Sequence, residues 1–509
     1  MNKLITIFLI FILIFILPIS FDITNGSNSK TFDVENNKKN TSDVENNKKN
    51  ITSQITISNN PVLTINGNNK LKSYATSGNG SSINPYIIEN YIIMNNTSTL
   101  VEISNTNDQF ILRNFTLNFT GSQDSANTMG IYLNNVTYAT IENSIISNSY
   151  FAIVNQASYS LIFQNITITN VFFGFDFKNS NFCSILNNTI KNSYQGINLY
   201  KSQNDKIDQN RIQIGLLNTD FNISFVLAGI NINESNYNSI GNNFMEINYQ
   251  GINLINSNST KIYSNSIISS SSQNPHGISL VNSINSTITN NSLIAGGIVI
   301  DGLSLDGMKQ NSVTNNTVNN LPILFLENKQ NVLISEKNGQ IILLNCSFIT
   351  ISNQIINNTY HGIQLLFSKN NIIKNNTIFN TPYSFYLLYS NTNLLLNDSA
   401  LNSTNIGFYI RHSDYNSLIN STAFRTLGTF LFYSNYNTIN NCNSTKNGYG
   451  LYLFSSTNQK IVKSAFSQNY YVGLEIVRSN NTIIMSNNVD SNNGDGLEGY
   501  LFKNNSFIL

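Results

Sequence analysis

From residue 130 onward the chain repeats one phrase about every 22 residues. Residues 362–378 read GIQLLFSKNNIIKNNTI, and variants start at Gly130, Gly174, Gly196, Gly229, Gly251, Gly407, Gly428, Gly450, Gly473 and Gly496. The spacing is irregular only after Gly196, after Gly251 and between Gly277 and Gln340. A fixed period of this length marks a solenoid, whose units bury their apolar positions by stacking on one another. Within one unit apolar and polar residues alternate around Ile363, Leu365, Ile373 and Ile378, and no unit carries a ten-residue run of helical period. Each repeat therefore predicts three short strands, rich in β-branched Ile, that pair in parallel with their copies at roughly 4.8 Å per coil. The expected fold is all-β: a single-stranded right-handed parallel β-helix of about 18 coils.

The polar positions recur too. Ser stands six residues after the anchor at Ser180, Ser202, Ser368, Ser390, Ser434 and Ser456, and Asn recurs near +13 or +14 at Asn165, Asn187, Asn210, Asn243, Asn265, Asn376 and Asn420. Turns leave backbone groups that need partners, and stacked Ser and Asn supply them along the axis. Cys183, Cys346 and Cys442 occupy such slots several coils apart, too far to bridge, so they are expected as isolated thiols.

Charged residues are 10% of the chain and the net charge is +1, which excludes a basic nucleic-acid footprint. Hydrophobic residues at 40% still provide a core. Residues 1–21, with Lys3 before the apolar run Leu4–Leu17, read as a secretory signal or, uncleaved, an N-terminal anchor and sole membrane contact. Residues 22–54 form a flexible polar linker carrying DVENNKKN twice, 55–99 an N-terminal capping segment, and 100–509 the repeats. A secreted or cell-surface location follows. The last coil stops after half a repeat, and an open parallel edge suits end-to-end self-association.

The phrase GI-x-L-x-x-S-x-x-N-x-I-x-x-N-x-I resembles the parallel β-helix repeat of NosD-like and pectate-lyase-like proteins, over roughly residues 80–509. SGNGSSINPYIIEN (77–90) and NGQIILLNCSFITISNQIINNTYHGIQL (338–365) are similar to segments of archaeal secreted members of that group. The resemblance implies the fold. The fold hosts lyases, hydrolases, adhesins and copper-maturation accessories, so function has to come from a site.

With +1 and +3 inward, the +2 column faces outward and reads Gln364, Tyr386, Tyr409, Phe430, Tyr452, Glu475 and Glu498, with Arg411 and His412 beside it. Aromatic faces with polar edges suit saccharide rings, so Tyr386, Tyr409, Phe430, Tyr452, Arg411 and His412 form the candidate ligand-binding face. The partner would be a polysaccharide or cell-surface glycan; a stacking ladder that only stabilises the strands is the competing reading. Glu475 and Glu498 on neighbouring coils would lie about 5 Å apart, near the carboxylate spacing of retaining glycosidases, and are the candidate catalytic pair. A polysaccharide lyase or glycoside hydrolase on this face is thus the alternative function, and a structural spacer the third. His276 and His361 precede anchor glycines and read as turn residues. No cofactor is expected: three His, three Cys and six Met are scattered without clusters, and the acidic residues offer no clear Ca²⁺ site.

Overall fold

The computed structural model describes residues 63–96, 98–121, 128–215, 227–270 and 276–508; the signal or anchor and the linker lie outside the described residues. The fold is the expected one, an all-β parallel solenoid of about 18 turns. Each coil contributes up to three strands. Gln250–Ile255, Lys261–Tyr263 and Ser266–Ser269 are one such set, and their registers run in parallel to His276–Val281, Thr287–Thr289 and Ser292–Ile294 in the next coil. Within the segment read as an N-terminal cap, the described residues from Leu63 to Asn95 form strands of a coil. Leu63–Asn66, Tyr86–Glu89 and Ile92–Asn95 pair with the strands that follow, while helix Asn68–Tyr74 replaces one turn and buries Leu71 in the core.

The anchor glycines have a steric cause. A Cβ at Gly174 or Gly196 would lie 2.4 Å from the carbonyl oxygen of the next anchor glycine. No side chain fits that approach. The Ser column works as expected: Ser158, Ser180, Ser202, Ser235 and Ser257 each donate a backbone N–H to the next Ser Oγ at 2.9–3.2 Å. The Asn column resolves into two adjacent ones. Asn188, Asn210, Asn243, Asn265, Asn291 and Asn316 are buried and linked coil to coil, each amide oxygen from Asn210 onward accepting from the backbone N–H and Nδ2 of the Asn before it. Asn165, Asn187 and Asn420 instead sit one residue earlier, exposed and in the left-handed conformation that Asn tolerates. The thiols are free and buried as expected; Cys346 takes a Ser slot and accepts no bridge.

The stack is not one continuous column. Asn319 (φ 52°) and Asn320 (φ 64°) are consecutive left-handed residues, the conformation of a type I′ turn, and Thr317–Val318 pairs antiparallel with Leu321–Pro322. A first stack, whose second-face sheet has ten strands, ends there, and a second stack with nine begins. The outward side of the second stack closes the open end of the first. Gln340 Nε2 donates to the Ile298 carbonyl at 2.7 Å, and its Oε1 accepts from the Ile298 N–H at 2.8 Å. One amide thus satisfies both backbone groups on the free edge of strand Ile298–Asp301. Gln364 Nε2 donates to the Ile300 carbonyl at 2.8 Å. Around these amides Ile342, Leu344, Leu366, Tyr386 and Leu388 join the core of the first stack.

Two expectations are corrected by this junction. Gln364, read as a free outward position, is completely buried. His276 and His361 are not exposed turn residues but begin strands, buried against Tyr360 with ring centroids 3.7 and 4.7 Å from it.

Candidate functional site

The outward column beyond the junction is in the register that the repeat predicts. Gln364, Tyr386, Tyr409, Phe430, Tyr452, Glu475 and Glu498 are partners across successive parallel strands. Their accessibility differs sharply. Tyr386 is 6% exposed because the end of the first stack covers it, with its ring stacked 4.7 Å from that of His361. Phe430 is 1% exposed: with Ile406 and Phe432 it forms a small apolar cluster against which Tyr383, Tyr409, Leu427, Tyr449, Tyr452 and Phe454 pack. Its ring lies 5.2 Å from Tyr452 in a stacked pair and 5.8 Å from Tyr449 in an edge contact. Two of the four column rings are therefore packing groups, and the half-buried Tyr409 and Tyr452 present the accessible aromatic surface.

The flanking residues separate as well. Arg411 ends strand Phe408–Arg411, half-buried, and its charge acts across the junction on Asp301, whose carboxyl is raised by burial and pulled back by the Gly302 N–H and Arg411. His412 belongs to a different column. It occupies a left-handed turn (φ 48°), its ring sandwiched between Tyr389 at 4.9 Å and Tyr433 at 5.0 Å, with Phe367 extending the stack at 4.8 Å from Tyr389. Burial, then Arg411, push its pKa below the usual imidazole value. Sequence reading missed Phe367 and also Tyr383 and Tyr449. Both of these tyrosines lie just before the anchor, a position the repeat consensus leaves open.

Glu475 and Glu498 stand directly opposite each other on adjacent strands. Glu475 is half-buried beside Tyr449 and Tyr452, and burial together with the Glu498 charge lifts its carboxyl to about 7. Glu498 accepts a hydrogen bond from the Tyr500 hydroxyl. Burial and the two glutamates in turn raise Tyr449 to about 12. Burial of the inner carboxyl, with a second carboxylate directly opposite it, favours a proton on Glu475, the form that a general acid requires.

Among the described residues no group of three or more His, Cys, Asp or Glu could hold a metal ion. The buried imidazoles of His276 and His361 are pushed down to about 3 by burial, and the Nδ1 atom of each finds no hydrogen-bond partner. Cys183 is lifted to about 12 and Cys442 to about 11, chiefly by burial, so both remain thiols.

The family model for NosD, described as a periplasmic copper-binding protein, matches residues 101–300 and 294–471. No curated protein matches the chain. Among solved structures, the enzymatically active domain of tailspike protein 2 of bacteriophage CBA120 is 14% identical with a TM-score of 0.33, covering 54% of this chain and 40% of its own. The chain thus spans about two fifths of that tailspike. PfbA, a surface adhesin of Streptococcus pneumoniae, is 11% identical with a TM-score of 0.24, covering 74% and 91%. The tailspike of E. coli bacteriophage HK620, solved with a pentasaccharide, is 10% identical with a TM-score of 0.29, covering 82% and 73%. At these values the likenesses carry no argument about activity.

Proposed function

The chain belongs to the NosD family, a periplasmic family, and from that premise we propose that it is an exported β-solenoid that binds glycans along the outward face of its second stack. Among the described residues no helix is long and apolar enough to cross a membrane. The observation that supports the reading is the pair of half-buried phenols, Tyr409 and Tyr452, held in one column by the packed Phe430 between them and leading to Glu475. Rigid aromatic faces with hydroxyl edges stack on sugar rings and hydrogen-bond their substituents at little entropic cost. The copper of the family description finds no fitting donor set among the described residues. The two neighbouring imidazoles lack a third donor among the described residues, and Cys183 and Cys442 are protonated thiols in ladder slots. A glycan array with Tyr409→Ala and Tyr452→Ala tests the proposal. Loss of binding in these variants, with unchanged unfolding, supports it; wild-type protein that binds no glycan leaves the spacer reading in its place.

Glu475 favours a second reading, a glycoside hydrolase or polysaccharide lyase on the same face. Its carboxyl, lifted to about 7 and directly opposite Glu498, has the form of a general acid with a second carboxylate beside it. Incubation with a panel of acidic polysaccharides, with Glu475→Gln and Glu498→Gln as controls, decides it. Turnover by the wild type that both variants abolish supports an enzyme, and binding without turnover sinks it.

A further inference from the structure

The second stack carries a cleft that neither the aromatic column nor the carboxylate pair uses. It measures about 230 Å³ and is lined chiefly by Asn328, Gln330, Asn345, Phe367 and Lys369, with the Cys346–Ser347 segment also at its wall. The repeat builds it from two columns. Asn328, Asn345 and Phe367 occupy the same left-handed turn position in three successive coils, with φ of 56°, 51° and 50°. Gln330, Ser347 and Lys369 are parallel partners two residues further on. In the fourth, fifth and sixth coils the first column continues as Tyr389, His412 and Tyr433, so the cleft opens where the turn-side ring ladder begins.

Its chemistry is selective. Phe367 offers one flat apolar wall, half-buried and fixed from behind by Tyr389. Asn345 Nδ2 donates to Asn328 Oδ1 at 2.6 Å and Asn328 Nδ2 donates to Glu327 Oε1 at 3.4 Å, which fixes both amides and leaves Asn345 Oδ1 as the acceptor without a protein donor among the described residues. The side chains of Gln330 and Lys369 are exposed, and among the described residues neither has a hydrogen-bond or ion-pair partner. Drug-sized ligands need roughly 300–1,000 Å³, so this volume suits one small ring. An apolar face, paired amides and the Lys369 ammonium at the wall together match a pyranose that bears a carboxylate: the ring on Phe367, hydroxyls on the amides, carboxylate on Lys369.

We infer that the cleft of Asn328, Gln330, Asn345, Phe367 and Lys369 is a binding subsite for a hexuronic acid residue of an acidic polysaccharide. The inference rests on the glycan-binding reading and adds a second contact point and a charge preference. Titration calorimetry of the full chain with oligogalacturonate and with the matching neutral galactan tests both together. The expected result is tighter binding of the acidic oligomer, weakened by salt, with Lys369→Gln losing at least tenfold for that ligand and nothing for the neutral one. Gln330→Ala, at an exposed position whose loss leaves the coil intact, should weaken the same ligand several-fold. Equal affinity for the two oligomers, or an unchanged Lys369→Gln variant, overturns the subsite. If Tyr452→Ala abolishes polysaccharide binding while Lys369→Gln retains it, the subsite falls and the glycan reading stands; if the wild type binds neither oligomer nor any arrayed glycan, both fall.

Discussion

Replacing Asp398 by Asn should make the protein more stable at pH 8 and leave it nearly unchanged at pH 4. Asp398 stands where the repeat prefers Asn or Ser, completely buried in the column of Gln354, Asn376 and Ser421. One carboxylate oxygen accepts from the Asn376 backbone N–H and Nδ2, both at 2.9 Å, while Oδ2 has no partner. Burial lifts the acid from 3.8 to about 7, and the bonds from Asn376 only partly offset it. Between these two values the folded protein holds a proton that the unfolded chain has released. Stability therefore falls as pH rises, by about 1.4 kcal/mol per unit and about 4 kcal/mol in total. Above about 7 the loss is complete and constant. Asp205, lifted to about 8 in the separate ladder of Cys183 and Asn238, adds a second loss in the same direction. His276 and His361 act oppositely: neutral in the fold down to about 3, they cost stability as pH drops below the ordinary imidazole value of 6.5. The wild-type curve mixes both effects, so the decisive quantity is the difference between Asp398→Asn and wild type in urea unfolding at pH 4.5, 6, 7 and 8. The difference should grow from about 1 kcal/mol at pH 4.5 to about 4 kcal/mol at pH 8 in favour of the variant. A difference independent of pH refutes the argument that burial, and not a lost hydrogen bond, governs this residue.

Other consequences of the structure are measurable in the same way. Gln340→Ala leaves the Ile298 N–H and C=O unpaired on a buried edge and should cost about 2–5 kcal/mol in urea unfolding. Phe430→Ala should cost about 3–5 kcal/mol, whereas Tyr452→Ala, half-buried, should affect binding more than stability; equal losses for both would mean that the face is only a ladder. Gly196→Ala should destabilise the protein by at least about 1–3 kcal/mol, since the added methyl meets a carbonyl at 2.4 Å. Cys183 and Cys442 should resist alkylation at pH 8 until denaturant is added, as mass spectrometry of the labelled protein would show.

The repeat alone determined the fold class, the inward residues, the Ser and Asn ladders and even the register of the outward column down to Glu498. The physical reason is local: each coil meets only its neighbours, so a period in the chain becomes a period in space. What the tertiary structure decided was which outward residues remain available. Two left-handed asparagines, Asn319 and Asn320, reverse the chain and bring the side of one stack over the end of the other, a contact between coils distant in sequence that no single repeat encodes. That contact turned Gln364 from a free position into an edge clamp, buried Tyr386, and drew His276 and His361 together around Tyr360. The same holds for the cleft. Asn328, Asn345 and Phe367 are unremarkable turn residues in the sequence, and only the stacking of three coils sets Lys369 beside an aromatic wall.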